Sequence, residues 1–174
     1  MNLLTLVLIM PLVGFLASLT IPRRFPQNSP AWALAVSLAT FAQSLILVSQ
    51  FNRNAAGDQF TVDIRWIPTP DIHFHVAADG ISLWLVLLST FLTPLCVMIS
   101  WKHVQDRVKE FYAFLMLLEF GLVGVFIAQD LFLFYVFWEI SLVPMYFLIG
   151  IWGHSRRIYA AVKFFLYTDR KSVV

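Results

Sequence analysis

Residues 111–150 read FYAFLMLLEFGLVGVFIAQDLFLFYVFWEISLVPMYFLIG. The stretch contains three acids, Glu119, Asp130 and Glu139, and no basic residue. It divides at Gln129-Asp130 into two apolar segments, Phe111 to Gln129 and Leu131 to Gly150. At 1.5 Å per residue, either segment is long enough as a helix to cross a hydrocarbon core of ~30 Å. Three uncharged runs precede them: Leu3 to Ile21, Ala31 to Phe51 and Ile81 to Trp101. A sixth run starts near Arg157, holds Lys163 and stops at Thr168, short of a full crossing. The pattern predicts an all-α membrane protein, a polytopic bundle of transmembrane helices.

Composition supports the same class. Sixty per cent of the 174 residues are hydrophobic and 13% are charged, with a mean hydropathy of +0.79. Soluble domains run nearer half apolar and a quarter charged. This excludes a disordered chain and most soluble folds. The net charge of +2 is too small to imply nucleic-acid binding. Cys96 is the single cysteine, so no intrachain disulfide can form. The first run lacks a basic residue ahead of it and a small-residue cleavage pattern, so it reads as a span and not a cleavable signal.

Loop charges set an expected orientation. With the N-terminus outside, the inner loops hold Arg23, Arg24, Lys102, Arg107, Lys109, Arg156 and Arg157, and the outer loops hold only Arg53 and Arg65. That split follows the positive-inside rule. In the outer loop Phe60, Val62, Ile64 and Trp66 alternate with polar residues, as do Ile72, Phe74 and Val76. A short outer β-hairpin follows, with one face packed on the helices and a turn at Pro68-Thr69-Pro70-Asp71. Asp130 is placed to cap the fifth helix.

Candidate chemistry lies within the membrane. A carboxylate at the bilayer centre costs several kcal/mol, ~2.5–3.5 on insertion scales, and marks a pathway or a pair. Counting along the helices puts Glu119 and Glu139 both roughly 14–15 Å from the outer surface. At one depth on antiparallel neighbours, they could share a proton or flank a water-filled cavity. Alternatively, each is a neutral, hydrogen-bonded acid that holds helices together. Pro144 removes the helical donor to the carbonyl of Ile140, beside Glu139. Lys163 lies roughly 9 Å into the sixth helix, where it either pairs with Glu139 or snorkels to the inner surface. His73 and His75 share a strand face and read as polar residues of the hairpin, with no third ligand in that loop to make a metal site. His103 and His154 read as interfacial. There is no CxxC, no phosphate-binding glycine loop and no Ser-His-Asp set, so no site for a flavin, an iron–sulfur cluster or a nucleotide is expected in this chain.

Several motifs resemble one family. Asp130 to Glu139 (DLFLFYVFWE), Val143 to Gly153 (VPMYFLIGIWG) and Arg156 to Thr168 (RRIYAAVKFFLYT) are similar to the helix-five region of the chain M (chain 4) antiporter-like subunits of respiratory complex I. Asp79-Gly80-Ile81-Ser82 and Leu92-Thr93-Pro94-Leu95 also fit. The likeness is strong from Asp79 to Thr168 and weaker before it. Subunits of Mrp-type cation/proton antiporters share these motifs. The resemblance implies a membrane-arm subunit of NADH:quinone oxidoreductase that moves protons when quinone is reduced. It would sit in a bacterial inner membrane beside other membrane-arm subunits, with redox chemistry elsewhere. It also implies that Glu139 is the family's helix-five glutamate, paired with a lysine on a seventh helix. Glu119 matches no site of the family. A purely structural membrane scaffold is the remaining alternative.

The expected organisation is helices one and two in 1–51, the outer loop in 52–80, and helices three to five with the start of helix six in 81–168. The resemblance stops at Thr168. Residues 169–174, with three successive charges where an apolar helix should continue, are expected to be a non-native tail on an N-terminal fragment.

Overall fold

The computed structural model describes residues 2–20, 28–52, 57–67 and 72–169. Backbone groups in hydrocarbon must pair within their own segment, so each apolar run closes into an α-helix. The elements in chain order are α1 (Leu3–Thr20), α2 (Asn28–Gln50), β1 (Gln59–Ile67), β2 (Ile72–Ala78), α3 (Ser82–Ser100), α4 (Val108–Ile127), α5 (Leu131–Trp152) and α6 (Arg157–Asp169). The first five helices are long and apolar enough to span a membrane. At 13 residues, α6 is about 20 Å long. The proposed turn at Pro68 to Asp71 and residues 170–174 of the expected tail lie outside the described residues.

Helix α4 is the hub. It packs against α1, α2, α3 and α5, whereas α6 packs on α5. Its apolar contacts form two clusters. One joins Leu4, Val7, Leu47, Leu83, Val86, Val123, Ile127 and Phe137 with the hairpin residues Val76 and Ala78. The other joins Ala33, Val36, Val97, Tyr112 and Met116 towards the opposite end.

The hairpin is antiparallel, with Val62 opposite Val76 and Ile64 opposite Phe74. Its inner end is tied to the α4–α5 turn. Val76 bridges to Ala128, and the Gln129 amide donates to the His75 carbonyl at 2.9 Å. Phe60, Val62 and Phe74 pack on the helices, as the alternation requires. Ile64 and Trp66 remain 58% and 51% exposed. Register irregularities lie between Gln59 and Val62 and between Arg65 and Ile67, while Val62 to Arg65 pair in regular register. Trp66 meets the ring of Phe132 edge-on at 6.2 Å.

Two side chains start the helices that follow. The Asp130 carboxylate accepts from the amides of Phe132 and Leu133 at 2.8 and 3.1 Å, the expected cap of α5. Asp79 accepts from the amides of Ile81 and Ser82, while the Asp79 amide donates to the Ser82 hydroxyl. The Ser82 amide, followed by its hydroxyl, holds the Asp79 carboxyl below the ordinary carboxylate range.

Candidate functional site: two mid-span carboxyls

Helices α4 and α5 approach closely because two glycines of α4 present no side chain. A Cβ on Gly121 would lie 2.9–3.0 Å from atoms of Ser141, and one on Gly124 would run into the ring of Phe137. These contacts fix the register of the antiparallel pair, with Ser141 opposite Gly121 and Phe137 opposite Gly124. Glu119 lies two residues before Gly121 and Glu139 two residues before Ser141, which on antiparallel helices displaces them in opposite directions. The acids are therefore offset by about 6 Å along the helix axes and do not share one depth.

They also face different ways. Glu119 is 1% exposed and points into the bundle. Glu139 is exposed, along with Tyr135, Trp138 and Val143. Two residues along a helix turn a side chain by about 200°, so when Phe137 and Ser141 pack on α4, Glu139 must face away. The structure therefore does not bring the two acids into a shared cavity.

Lys163 is likewise separate from Glu139. Helices α5 and α6 meet at Gly150 with Ala161, and at Tyr146 with Phe165, whose rings are 5.7 Å apart. That register sets Lys163 level with Leu148, about 13 Å along the axis from Glu139. No Glu139–Lys163 ion pair occurs among the described residues. The Lys163 ammonium lies 5.7 Å from the ring centroids of both Tyr159 and Tyr167, one helical turn to either side on its own helix. Pro144 is buried, and α5 continues past it to Trp152.

Outside the membrane, His73 bonds the Asp63 carboxylate at 2.6 Å. Among the described residues no group of three or more His, Cys, Asp or Glu is gathered as a metal site would need. A polar cleft of about 770 Å³ opens at the ends of the helices away from the hairpin, beside Asp106, Arg107, Trp152 and Arg157. Trp152 closes one wall by donating its indole N–H to the Asp106 carbonyl.

Charge counting found both acids but missed their surroundings. Thr40, Ser44, Thr90 and Thr93 are all buried on α2 and α3, and the Ser44 and Thr90 hydroxyls bond each other across that pair. Their i, i+3 and i+4 spacing on α2 and α3 was the available signal.

Fold and site define an integral membrane helix bundle with ionisable groups at mid-span, a class associated with moving protons or ions. Residues 2–125 match the family model described as NADH-ubiquinone oxidoreductase chain 4, amino terminus. Residues 128–174 match the model described as NADH:quinone oxidoreductase/Mrp antiporter, transmembrane. The chain belongs to the NADH-ubiquinone oxidoreductase chain 4 family. It is 42% identical over 177 residues to NADH-quinone oxidoreductase subunit M of Rhodobacter capsulatus, covering 99% of this chain and 34% of that protein. It is also 42% identical over 159 residues to NADH-ubiquinone oxidoreductase chain 4 of Arabidopsis thaliana, covering 91% of this chain and 32% of the relative. The fold matches a chain of respiratory complex I from Thermus thermophilus with a TM-score of 0.78 at 24% identity, over 95% of this chain and 32% of that one. The chain thus spans about a third of the length of these relatives.

Proposed function

We propose that the chain serves as part of an antiporter-like membrane-arm subunit of an NADH:quinone oxidoreductase and takes part in proton translocation coupled to quinone reduction. The observation that carries this reading is Glu139, an acid at mid-span on the face of α5 turned away from α4. An ionisable group there costs several kcal/mol unless it is paired or hydrated, so the face calls for a partner or an aqueous path. By the family resemblance, that partner is a lysine on a helix beyond α6. Lys163, nearer the inner surface, is the other ionisable group on the α5–α6 side. Electron transfer would belong to other subunits, and neighbouring membrane-arm subunits would be the partners. The shared antiporter family model supports an Mrp-type cation/proton antiporter as the second reading.

The test is Glu139→Gln in the assembled complex in its own membrane. Proton pumping should fall steeply, and quinone reduction coupled to it should fall too. Glu139→Asp should be milder, because it keeps the acid and only shortens its reach. Wild-type pumping in Glu139→Gln would reject the assignment. Proton movement driven by a sodium or potassium gradient, without any link to quinone, would favour the antiporter.

A bacterial inner membrane with the N-terminus outside is the proposed setting, supported by the split of loop basic residues. In a Cys96→Ser background an impermeant thiol reagent added to intact cells should label Asp58→Cys and spare Asp106→Cys. The reverse pattern would invert the topology.

A further inference from the structure

We infer that Glu119 is a second proton-carrying carboxyl, held in its O–H form in the interior between α1, α2, α3 and α4, where buried hydroxyls lie at its level, on the opposite side of the α4–α5 contact from Glu139. The inference rests on the proton-translocation reading and adds a residue to it. Both carboxyl oxygens of Glu119 are buried and have no hydrogen-bond partner among the described residues. A mid-span polar group in this condition is costly, so its neighbours decide what it does.

The neighbours follow from the packing register. Tyr112 meets Ser100 at 3.3 Å, which places Thr93 opposite Glu119 on the antiparallel α3. A Cβ on Gly14 would touch both Met116 and Val36. One turn further out, that level holds Pro11 on α1 and Thr40 on α2. Three helices thus present Pro11, Thr40 and Thr93 at the depth of Glu119, and all three are buried.

What this level offers is acceptors. The Thr40 hydroxyl donates to the Val36 carbonyl at 3.0 Å, and that of Thr93 donates to the Ser89 carbonyl at 3.0 Å. Their hydrogens are committed, and only oxygen lone pairs remain. Pro11 and Pro94 withhold the amides that the carbonyls of Val7 and Thr90 would otherwise accept. No Lys, Arg, His, Asp or Glu occurs in α1, α2 or α3. On α5 the same level holds Leu142 and Val143. Among the described residues no donor and no cation lies within hydrogen-bond distance of either carboxyl oxygen, so nothing there holds the anion, whereas the neutral acid needs only an acceptor.

One turn outward the hydroxyls of Ser44 and Thr90 bond each other at 2.8 Å, both buried. In a transfer step the Glu119 O–H bond breaks and its proton passes to a water entering that interior, which in turn releases one of its own protons to the next water along the path. A proton from the other side then restores Glu119. No electrons move.

The experiment compares wild type, Glu119→Gln, Glu119→Asp, Thr93→Val and Glu139→Gln in the assembled complex. Proton yield per quinone reduced is measured together with infrared difference spectra in H2O and D2O. Glutamine keeps the shape and a donor, so a purely structural role would survive it. The expected result is that Glu119→Gln loses proton yield and a deuterium-sensitive carboxylic C=O band, and Glu119→Asp retains part of both. Thr93→Val should shift that band by removing an acceptor, and this readout decides the matter even if Glu119→Gln fails to assemble. Unchanged pumping and an unchanged spectrum in Glu119→Gln, or an unshifted band in Thr93→Val, would overturn the proposal. If only Glu139→Gln loses pumping, the proposed function stands and this inference falls. If only Glu119→Gln does, the role of Glu139 falls and this inference stands.

Discussion

Helices α4 and α5 are close to equal as sequences and unlike as structures. Both are long and apolar enough to span a membrane, and each carries one acid near mid-span. Yet α4 has the largest buried share of the five spans and α5 the smallest. Position in the bundle makes the difference, since α4 touches four other helices. Hydropathy measures transfer from water to hydrocarbon and is blind to whether that hydrocarbon is lipid or protein. Glu119 therefore sits in a protein interior, while Glu139 sits on a face open to whatever assembles against it.

The α4–α5 contact enforces this contrast, and breaking it should give the largest effect. Gly124→Leu drives a side chain into the Phe137 ring, and overpacking of this kind costs about 1–3 kcal/mol or more. Loss of assembled protein, or a clear drop in the thermal midpoint in detergent, is the expected reading. A neutral outcome would mean that the two helices pack in another register. The α5–α6 contact should respond with the opposite sign. A Cβ on Gly150 would lie 3.5 Å from that of Ala161, an ordinary contact. Gly150→Ala should then gain roughly 0.5–1 kcal/mol from helix propensity, read on the same thermal scale.

The smallest effect lies outside the membrane, at the junction of the hairpin with α3. Asp79 has its carboxyl lowered by the Ser82 amide, so its contribution is complete above the ordinary carboxylate value of about 3.9. It is lost as pH falls through the lower, folded-state value. Acidification into that range should loosen the first turn of α3, followed by the fluorescence of Trp84. In Asp79→Asn that acid-dependent change should disappear. An identical acid response in both proteins would remove Asp79 from the account. The effect is small because the group is largely solvated.

Much was legible because membrane spans announce themselves. The runs beginning at Leu3, Ala31, Ile81, Phe111 and Leu131 each became a helix, displaced by a few residues at most: α2 begins at Asn28 rather than Ala31, with Pro30 in its first turn, where a missing amide costs nothing. The cap by Asp130 was legible because its carboxylate acts within three residues of itself. The hairpin was half legible: alternation located both strands, but Ile64 and Trp66 stay exposed on the row whose Val62 packs, because cover depends on which helix lies beneath each residue.

Sequence alone determined the membrane class, the helix count in the apolar runs and the presence of an acid at mid-span in two of them, because one-dimensional hydropathy and charge decide what enters hydrocarbon. Only the tertiary structure decided that Glu119 and Glu139 are staggered and turned apart, that Lys163 is too far from Glu139 to pair with it, and that both carboxyl oxygens of Glu119 are buried with no hydrogen-bond partner among the described residues. Those facts depend on interhelical register. Register is set by contacts such as Gly121 with Ser141 and Tyr112 with Ser100, between residues on different helices, and no local pattern in either segment encodes which partner it will meet.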